Sequence, residues 1–132
     1  MQHVNGTLLL IIGGGDVVDK LKDMVKNMRL SEKVKFKPRM PYKSLMDYTS
    51  VADLGVTFDK SSNINYRLSL PNKLFDYIQA GVPVLSSRLP EIEKVINKYD
   101  VGAFIKNHNP ESIAKGINNI LGDPDQLMKW KK

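Results

Sequence analysis

The chain contains no cysteine, which excludes disulfides and thiolate metal sites, and its two histidines, His3 and His108, cannot by themselves assemble a zinc site. Long hydrophobic runs are missing too. The longest, residues 8–12, falls far short of the about 18 apolar residues that suggest a membrane span, and no basic segment precedes it as in a secretory signal. Aromatic residues make up 8%, and among the alternating lysines of residues 33–37 only Phe36 offers a ring. A nucleic-acid stripe interleaves basic residues with stacking aromatics. The net charge of +6 therefore reads as solvated faces rather than as a nucleic-acid surface. Repeats, linkers and polar low-complexity stretches are also absent. The 132 residues, 42% of them hydrophobic, read as one domain with one core.

What is present is an alternation of two periods. Residues 7–12 form a continuous apolar run ending at Gly13, Gly14 and Gly15, which suits a strand buried on both faces of a parallel sheet. Val17, Val18, Leu21, Met24, Val25 and Met28 then recur at helical spacing, with Asp16 placed to cap the first turn. Residues 33–37 alternate, Val34 and Phe36 sharing one face, and the lysines mark an edge strand. Pro41 opens a helix carrying Leu45, Met46 and Tyr48, and residues 54–58 make the next strand. An aperiodic loop over 59–71 leads to a helix over 72–80 with Leu74, Phe75 and Ile78 inward and Gly81 as its left-handed cap. A strand at 82–85, a helix from Pro90, a strand at 101–105 and a helix from Pro110 to Leu121 follow. Asp123 and Pro124 begin a last helix. Residues 1–6 look like the tail of a helix. Met24, Met28, Met40, Met46 and Met128 read as core filler, Trp130 as a packed residue of the last helix, and His108 as a loop residue. Strands alternating with helices imply an α/β fold, a Rossmann-like, doubly wound parallel sheet with helices on both faces.

In such sheets ligands bind outside the carboxyl ends of the strands. Gly13, Gly14 and Gly15 lie at one such end but miss the dinucleotide fingerprint, because Val18 stands where its third glycine belongs, and Asp16 would repel a pyrophosphate. Two readings stay open: a tight turn that needs glycine, or a loop facing a ligand. The run from Ser69 to Val84, SLPNKLFDYIQAGVPV, says more. Its helix opens at the ligand edge, where free amides and the positive end of the dipole favour an anion, and Lys73 adds a point charge suited to a diphosphate. Asp76, about one turn further, can accept hydrogen bonds from the vicinal hydroxyls of a ribose. Tyr66 and Arg67, just before this helix, are placed to touch a sugar or a phosphate, or to pack locally.

This run, together with residues 9–15 and Ala52-Asp53-Leu54-Gly55-Val56, resembles the C-terminal, donor-binding domain of GT-B glycosyltransferases, particularly the retaining family 4 enzymes (glycosyl transferases group 1). The resemblance implies that Gly13, Gly14 and Gly15 face the donor, that Arg39 and Met40 (after Pro38) frame its base, that Asn72, Lys73 and Leu74 meet the diphosphate, and that Asp76 binds the ribose as the second acid of a paired motif. Leu68 stands where the first acid belongs and cannot hydrogen-bond a sugar, which leaves the stereochemical outcome open. The substrate implied is a nucleotide-sugar such as a UDP- or GDP-sugar, with no cofactor, no metal and no catalytic residue in this chain. The acceptor, a polysaccharide or glycolipid, would belong to a missing N-terminal domain, so the chain alone is expected to be inactive. The full-length enzyme is expected in the cytoplasm, at the inner face of the membrane as a peripheral protein.

The same resemblance implies truncation at both ends, with the first strand and helix missing. In a strand order of 3-2-1-4-5-6 that loss opens a gap. The chain is then expected to rearrange, to borrow a strand from another copy as a strand-exchanged dimer, or to be marginally stable, since buried backbone groups need partners. Two alternatives remain at this level. One is a non-catalytic regulatory module, which would need clustered acids at the first strand's end, where only Asp16 stands. The other is a nucleotide-sugar epimerase of the same architecture.

Overall fold

The computed structural model describes residues 1–131, with the side chain of Tyr66 excepted. Its contacts divide the chain into two compact units, Met1–Leu45 and Met46–Lys132. In the first unit β1 (Leu9–Ile12) runs parallel to β2 (Val34–Lys37), in register from Leu9 opposite Val34 to Ile12 opposite Lys37. A parallel pair needs a crossover, and α1 (Val18–Asn27) supplies it. Val34 is buried, as is Val4 at 1% exposure, whereas the four aliphatic side chains of β1 are only half-buried. The expectation that β1 is covered on both faces is not met within this unit.

Several local expectations are corrected here. Asp16 does not cap α1. The N-cap is Val17, with no side-chain cap bond, because the Val18 N–H is already taken by the carbonyl of Gly15 at 3.3 Å. At the other end Arg29 turns left-handed (φ 56°) and the Leu30 N–H closes on the Val25 carbonyl at 2.8 Å, a Schellman-type stop without glycine. Residues 1–6 are a turn, not a helix tail. Lys33 organises it, donating from Nζ to the carbonyls of Met1 at 3.1 Å and Val4 at 2.5 Å, so this lysine is a structural donor rather than part of a solvated face. Met24 and Met28 are exposed, as is Met128 at 75%, so these three are not core filler.

The helix α2 (Tyr42–Ser50) carries the chain into the second unit. There β3 (Gly55–Thr57), β4 (Val84–Ser86) and β5 (Gly102–Phe104) form a parallel sheet in that spatial order. The central strand β4 is wholly buried, and successive side chains of a strand point to opposite faces, so Val84 and Leu85 seed two cores. On the Val84 face lie Leu74 of α4 (Asn72–Gln79) and Ile92 and Ile96 of α5 (Pro90–Tyr99). On the Leu85 face lie Ile105, Ile120 of α6 (Pro110–Leu121), and Leu127 and Trp130 of α7 (Pro124–Trp130). Helices thus cover both faces, as the alternating pattern implies. Each start has its local cause. Asp123 accepts the Gln126 N–H at 3.0 Å, which is the expected cap of α7. Gly81 turns left-handed (φ 71°), which brings the Val82 N–H onto the Tyr77 carbonyl at 2.9 Å and stops α4.

The loop expected over 59–71 contains a short helix, α3 (Ile64–Leu68). Its five residues are too few to show a period, so sequence pattern could not reveal it. Phe75 is 46% exposed and not inward. Tyr77 takes the inward place beside Leu74 and Ile78, because positions three and four apart share a helix face. Among the described residues β1 has β2 as its sole ladder partner and β3 has β4. Each unit thus has its own parallel ladder, β1–β2 in the first and β3–β4–β5 in the second.

Candidate functional site

In the second unit the polar groups gather at the carboxyl edge of the sheet. Thr57, the last residue of β3 and fully buried, donates its hydroxyl to Asp59 Oδ2 at 3.2 Å. Asp59 Oδ1 in turn lies 3.9 Å from Lys73 Nζ. Lys73 is the second residue of α4, whose N-cap, Pro71, is extended (φ −67°, ψ 139°) and supplies no side-chain cap. The opening amides of a helix have no intrahelical acceptors and sit at the positive end of its dipole. Here the N-cap residue itself offers no side-chain cap, and Lys73 puts a cation in the first turn. Asp76 follows three residues later on the same side of the helix and is half-buried. Asn72 is exposed beside Lys73.

Leu74 belongs to a different part of the structure. Its side chain is fully buried in the Val84 core and its N–H bonds the Pro71 carbonyl at 3.0 Å, so neither group is turned to a ligand. The expectation that Leu74 contacts a diphosphate is corrected to an anchoring role: it holds the start of α4 against the sheet. Tyr77 anchors the next turn. Its hydroxyl donates to the Val56 carbonyl at 3.3 Å, and its ring fills the space that a side chain on Gly55 would take. Burial, the largest cause, raises the Tyr77 hydroxyl above its ordinary value of 10.0, and the Asp76 charge adds to it. The sign of the linkage follows from proton counts. Below pH 10 folded and unfolded chains both keep this proton, whereas above it the unfolded chain releases first, so stability falls as pH rises. Tyr77→Phe is expected to flatten that alkaline decline in urea midpoints measured from pH 8 to 11, while costing about 1 kcal/mol at pH 8 for the lost hydrogen bond.

Further along the same edge, the Ser87 N–H donates to the Thr57 carbonyl at 3.0 Å, which sets Ser87 beside the Thr57–Asp59 pair. Its buried hydroxyl meets His108 Nε2 at 3.1 Å. Arg88 stacks over the Phe104 ring at 4.5 Å and bonds Glu93 at 2.6 Å, so it is committed to the protein. Sequence reasoning passed over Asp59, Ser87 and His108. The available signal was position: each follows a strand on the edge where ligands bind. Arg67 is exposed in α3, and the side chain of Tyr66 lies outside the described residues. A shallow cleft of about 400 Å³ along the start of α6 is lined by Lys106, Asn107, Ser112 and Lys115 among others and includes none of the residues singled out by sequence.

In the first unit, Gly13, Gly14 and Gly15 follow β1, and Pro38, Arg39 and Met40 follow β2. These strands are parallel and in register to their last residues, and the Gly13 N–H bonds the Lys37 carbonyl at 3.1 Å. The two segments therefore share one carboxyl edge. Gly13 (φ 152°) and Gly15 (φ 133°) hold conformations that side chains rarely adopt, although a Cβ at either would meet nothing within 4 Å. The glycines are required by the backbone turn itself, not by a close neighbour. Arg39 is exposed and Met40 half-buried.

The chain and its parallel α/β fold are similar to known proteins. The chain is 30% identical over 131 residues to a chitobiosyldiphosphodolichol beta-mannosyltransferase of Candida albicans, an alignment covering 95% of this chain and 27% of that protein. It is 23% identical over 126 residues to a GDP-mannose-dependent alpha-(1-6)-phosphatidylinositol monomannoside mannosyltransferase of Mycolicibacterium smegmatis, covering 93% and 32%. The structure superposes on that of WaaG, a glycosyltransferase involved in lipopolysaccharide biosynthesis, with a TM-score of 0.74 at 19% identity, covering 95% of this chain and 32% of that one. The chain thus spans between a quarter and a third of the length of these proteins. The family model described as glycosyl transferases group 1 matches residues 1–132, and the chain belongs to that family.

Proposed function

We propose that the chain is the donor-binding portion of a glycosyltransferase that moves a sugar from a nucleotide-sugar, of the UDP- or GDP-linked kind, to a polysaccharide or glycolipid acceptor. The observation that carries this reading is the Lys73–Asp59 contact at 3.9 Å. It turns the lysine toward the loop after β3, the ligand edge of a parallel sheet, instead of leaving it on an outer helix face. An exposed pair of this length contributes under about 1 kcal/mol to folding, so holding the fold together does not account for the position of Lys73.

In this reading the opening amides of α4 and the Lys73 ammonium meet the diphosphate, and the Asp76 carboxylate accepts from the ribose hydroxyls. As the glycosidic bond breaks, negative charge grows on the departing diphosphate. A fixed dipole and a cation already aimed at it stabilise that charge without reorganising. The acceptor site and the remaining reacting groups would come from outside this chain, so it binds donor but does not turn it over. No helix among the described residues is long and apolar enough to cross a membrane. Peripheral attachment of the whole enzyme to the inner face of a membrane, like a strand-exchanged dimer of the chain, stays part of the proposal.

A titration of the labelled chain with UDP and GDP, followed by amide chemical shifts, tests it. Shifts at Asn72, Lys73 and Asp76 are expected, with Gly13, Gly14, Gly15, Arg39 and Met40 read separately in the first unit. Lys73→Ala is expected to weaken binding about tenfold or more, since one charge-assisted contact is worth about 1.5–3 kcal/mol. The absence of shifts at millimolar nucleotide would remove the proposal.

A further inference from the structure

A cation meant for a diphosphate has no need of a carboxylate beside it, yet Asp59 stands 3.9 Å from Lys73 Nζ. Nor is that carboxylate free to swing away. The Thr57 hydroxyl, on a fully buried residue at the end of β3, holds its second oxygen at 3.2 Å. Any phosphate oxygen gripped by Lys73 therefore comes to lie within a few ångströms of a fixed negative charge.

We propose that Asp59 is a specificity residue of this site: it disfavours a free nucleoside diphosphate relative to the sugar-bearing form, and so promotes release of the spent diphosphate. The inference rests on the reading of Lys73 as a diphosphate contact. The chemistry lies in the count of ionisable oxygens. The terminal phosphate of the sugar-bearing form is closed on both sides, by the sugar ester and the anhydride to the inner phosphate, and carries one negative charge, whereas after transfer only the anhydride link remains and its second proton dissociates near about pH 6. At pH 7.5 the product thus brings nearly one further charge to the Asp59 carboxylate, and like charges at this range repel. The substrate, lacking that charge, meets less of this repulsion from Asp59. Thr57 serves as the positioning residue that keeps the carboxylate at its post.

Calorimetric titration of the full chain at pH 7.5 with GDP, GDP-mannose, UDP and UDP-glucose separates the possibilities. Asp59→Asn is expected to tighten GDP and UDP by about fivefold and their sugar conjugates by only about twofold, from the loss of one charge at short range. Asp59→Glu, which restores the charge, is expected to return the ratio toward that of the unaltered chain, and Thr57→Val to reduce it in part. If Asp59→Asn changes diphosphate and conjugate equally, or weakens both, Asp59 is a strut and the inference is overturned. If Lys73→Ala leaves all four affinities unchanged, or if none of the four ligands binds at millimolar concentration, it is the diphosphate reading itself that fails.

Discussion

Replacing Gly102 with alanine is expected to lower the stability of the second unit by about 3 kcal/mol, at the upper end of what overpacking a tight interior costs. The cause is steric and backbone-to-backbone. Gly102 stands opposite Val84 in the β4–β5 ladder, and a Cβ built on it overlaps the Val84 carbonyl oxygen, with the carbonyl carbon at 2.9 Å and the Val84 nitrogen at 3.1 Å. No rotamer change relieves such a clash, because every atom concerned belongs to a main chain. Relief requires the two strands to part, which strains the bond from the Val84 N–H to the Val101 carbonyl at 3.0 Å and disturbs the strand that seeds both cores. The single tryptophan reports on this unit: Trp130 packs against the Leu85 core and its Nε1 donates to Asp100 at 3.1 Å. A urea transition followed by its fluorescence should move to a lower midpoint with little change in slope. Gly14→Ala is the control, since a Cβ there meets nothing within 4 Å and its φ is not in the left-handed range. A Gly102→Ala midpoint equal to that of the control would show that β4 and β5 are not held at this spacing.

The contrast between these two glycines marks where sequence reading stops. The alternation of short apolar runs with helical spacing identified five strands and all helices of eight residues or more, because burial against a sheet imposes those periods directly. Gly102 carries no such mark; its necessity lies in a neighbour eighteen positions earlier. The same holds at the site. Lys73 and Asp76 were legible because a helix start at a strand's carboxyl end has a local chemistry that spacing reveals. Asp59, Ser87 and His108 were not, because what distinguishes them is a partner brought close by the sheet: Lys73 for Asp59, and His108 for Ser87. Helix faces were misjudged where two apolar residues competed. Phe75 and Tyr77 are both plausible inward residues of α4, and Tyr77 wins because its hydroxyl reaches the Val56 carbonyl, a polar reward that an apolar pattern does not weigh. The exposed Met24 and Met28 repeat the lesson, since a side chain with the right spacing is buried only if the sheet opposite it is wide enough to cover it.

Leu74→Ala should separate anchoring from binding. Leu74 is fully buried among Val84, Leu89, Ile92 and Ile96, so truncating it leaves a cavity and is expected to cost about 3 kcal/mol, within the usual range for a buried leucine. Its neighbour Lys73 is half exposed, at 46% of its side chain, and Lys73→Ala should leave stability within about 0.5 kcal/mol of the unaltered chain. For nucleotide affinity the order reverses. Lys73 loses its charge and with it the contact to the diphosphate, whereas the Leu74 side chain points into the core and its N–H is spent on Pro71, so folded Leu74→Ala protein should bind UDP or GDP within about threefold of normal, each 1.4 kcal/mol being tenfold. If the variant is partly unfolded, affinity is still measurable, because a ligand that binds only the folded state raises its midpoint by an amount fixed by concentration over Kd. The outcome against this division would be a Leu74→Ala protein that is stable yet has lost nucleotide binding, which would put Leu74 at the ligand after all. A protein that melts early but is rescued by nucleotide to the same extent as the unaltered chain would establish that the start of α4 owes its place to the core beneath it and its chemistry to the residues on either side.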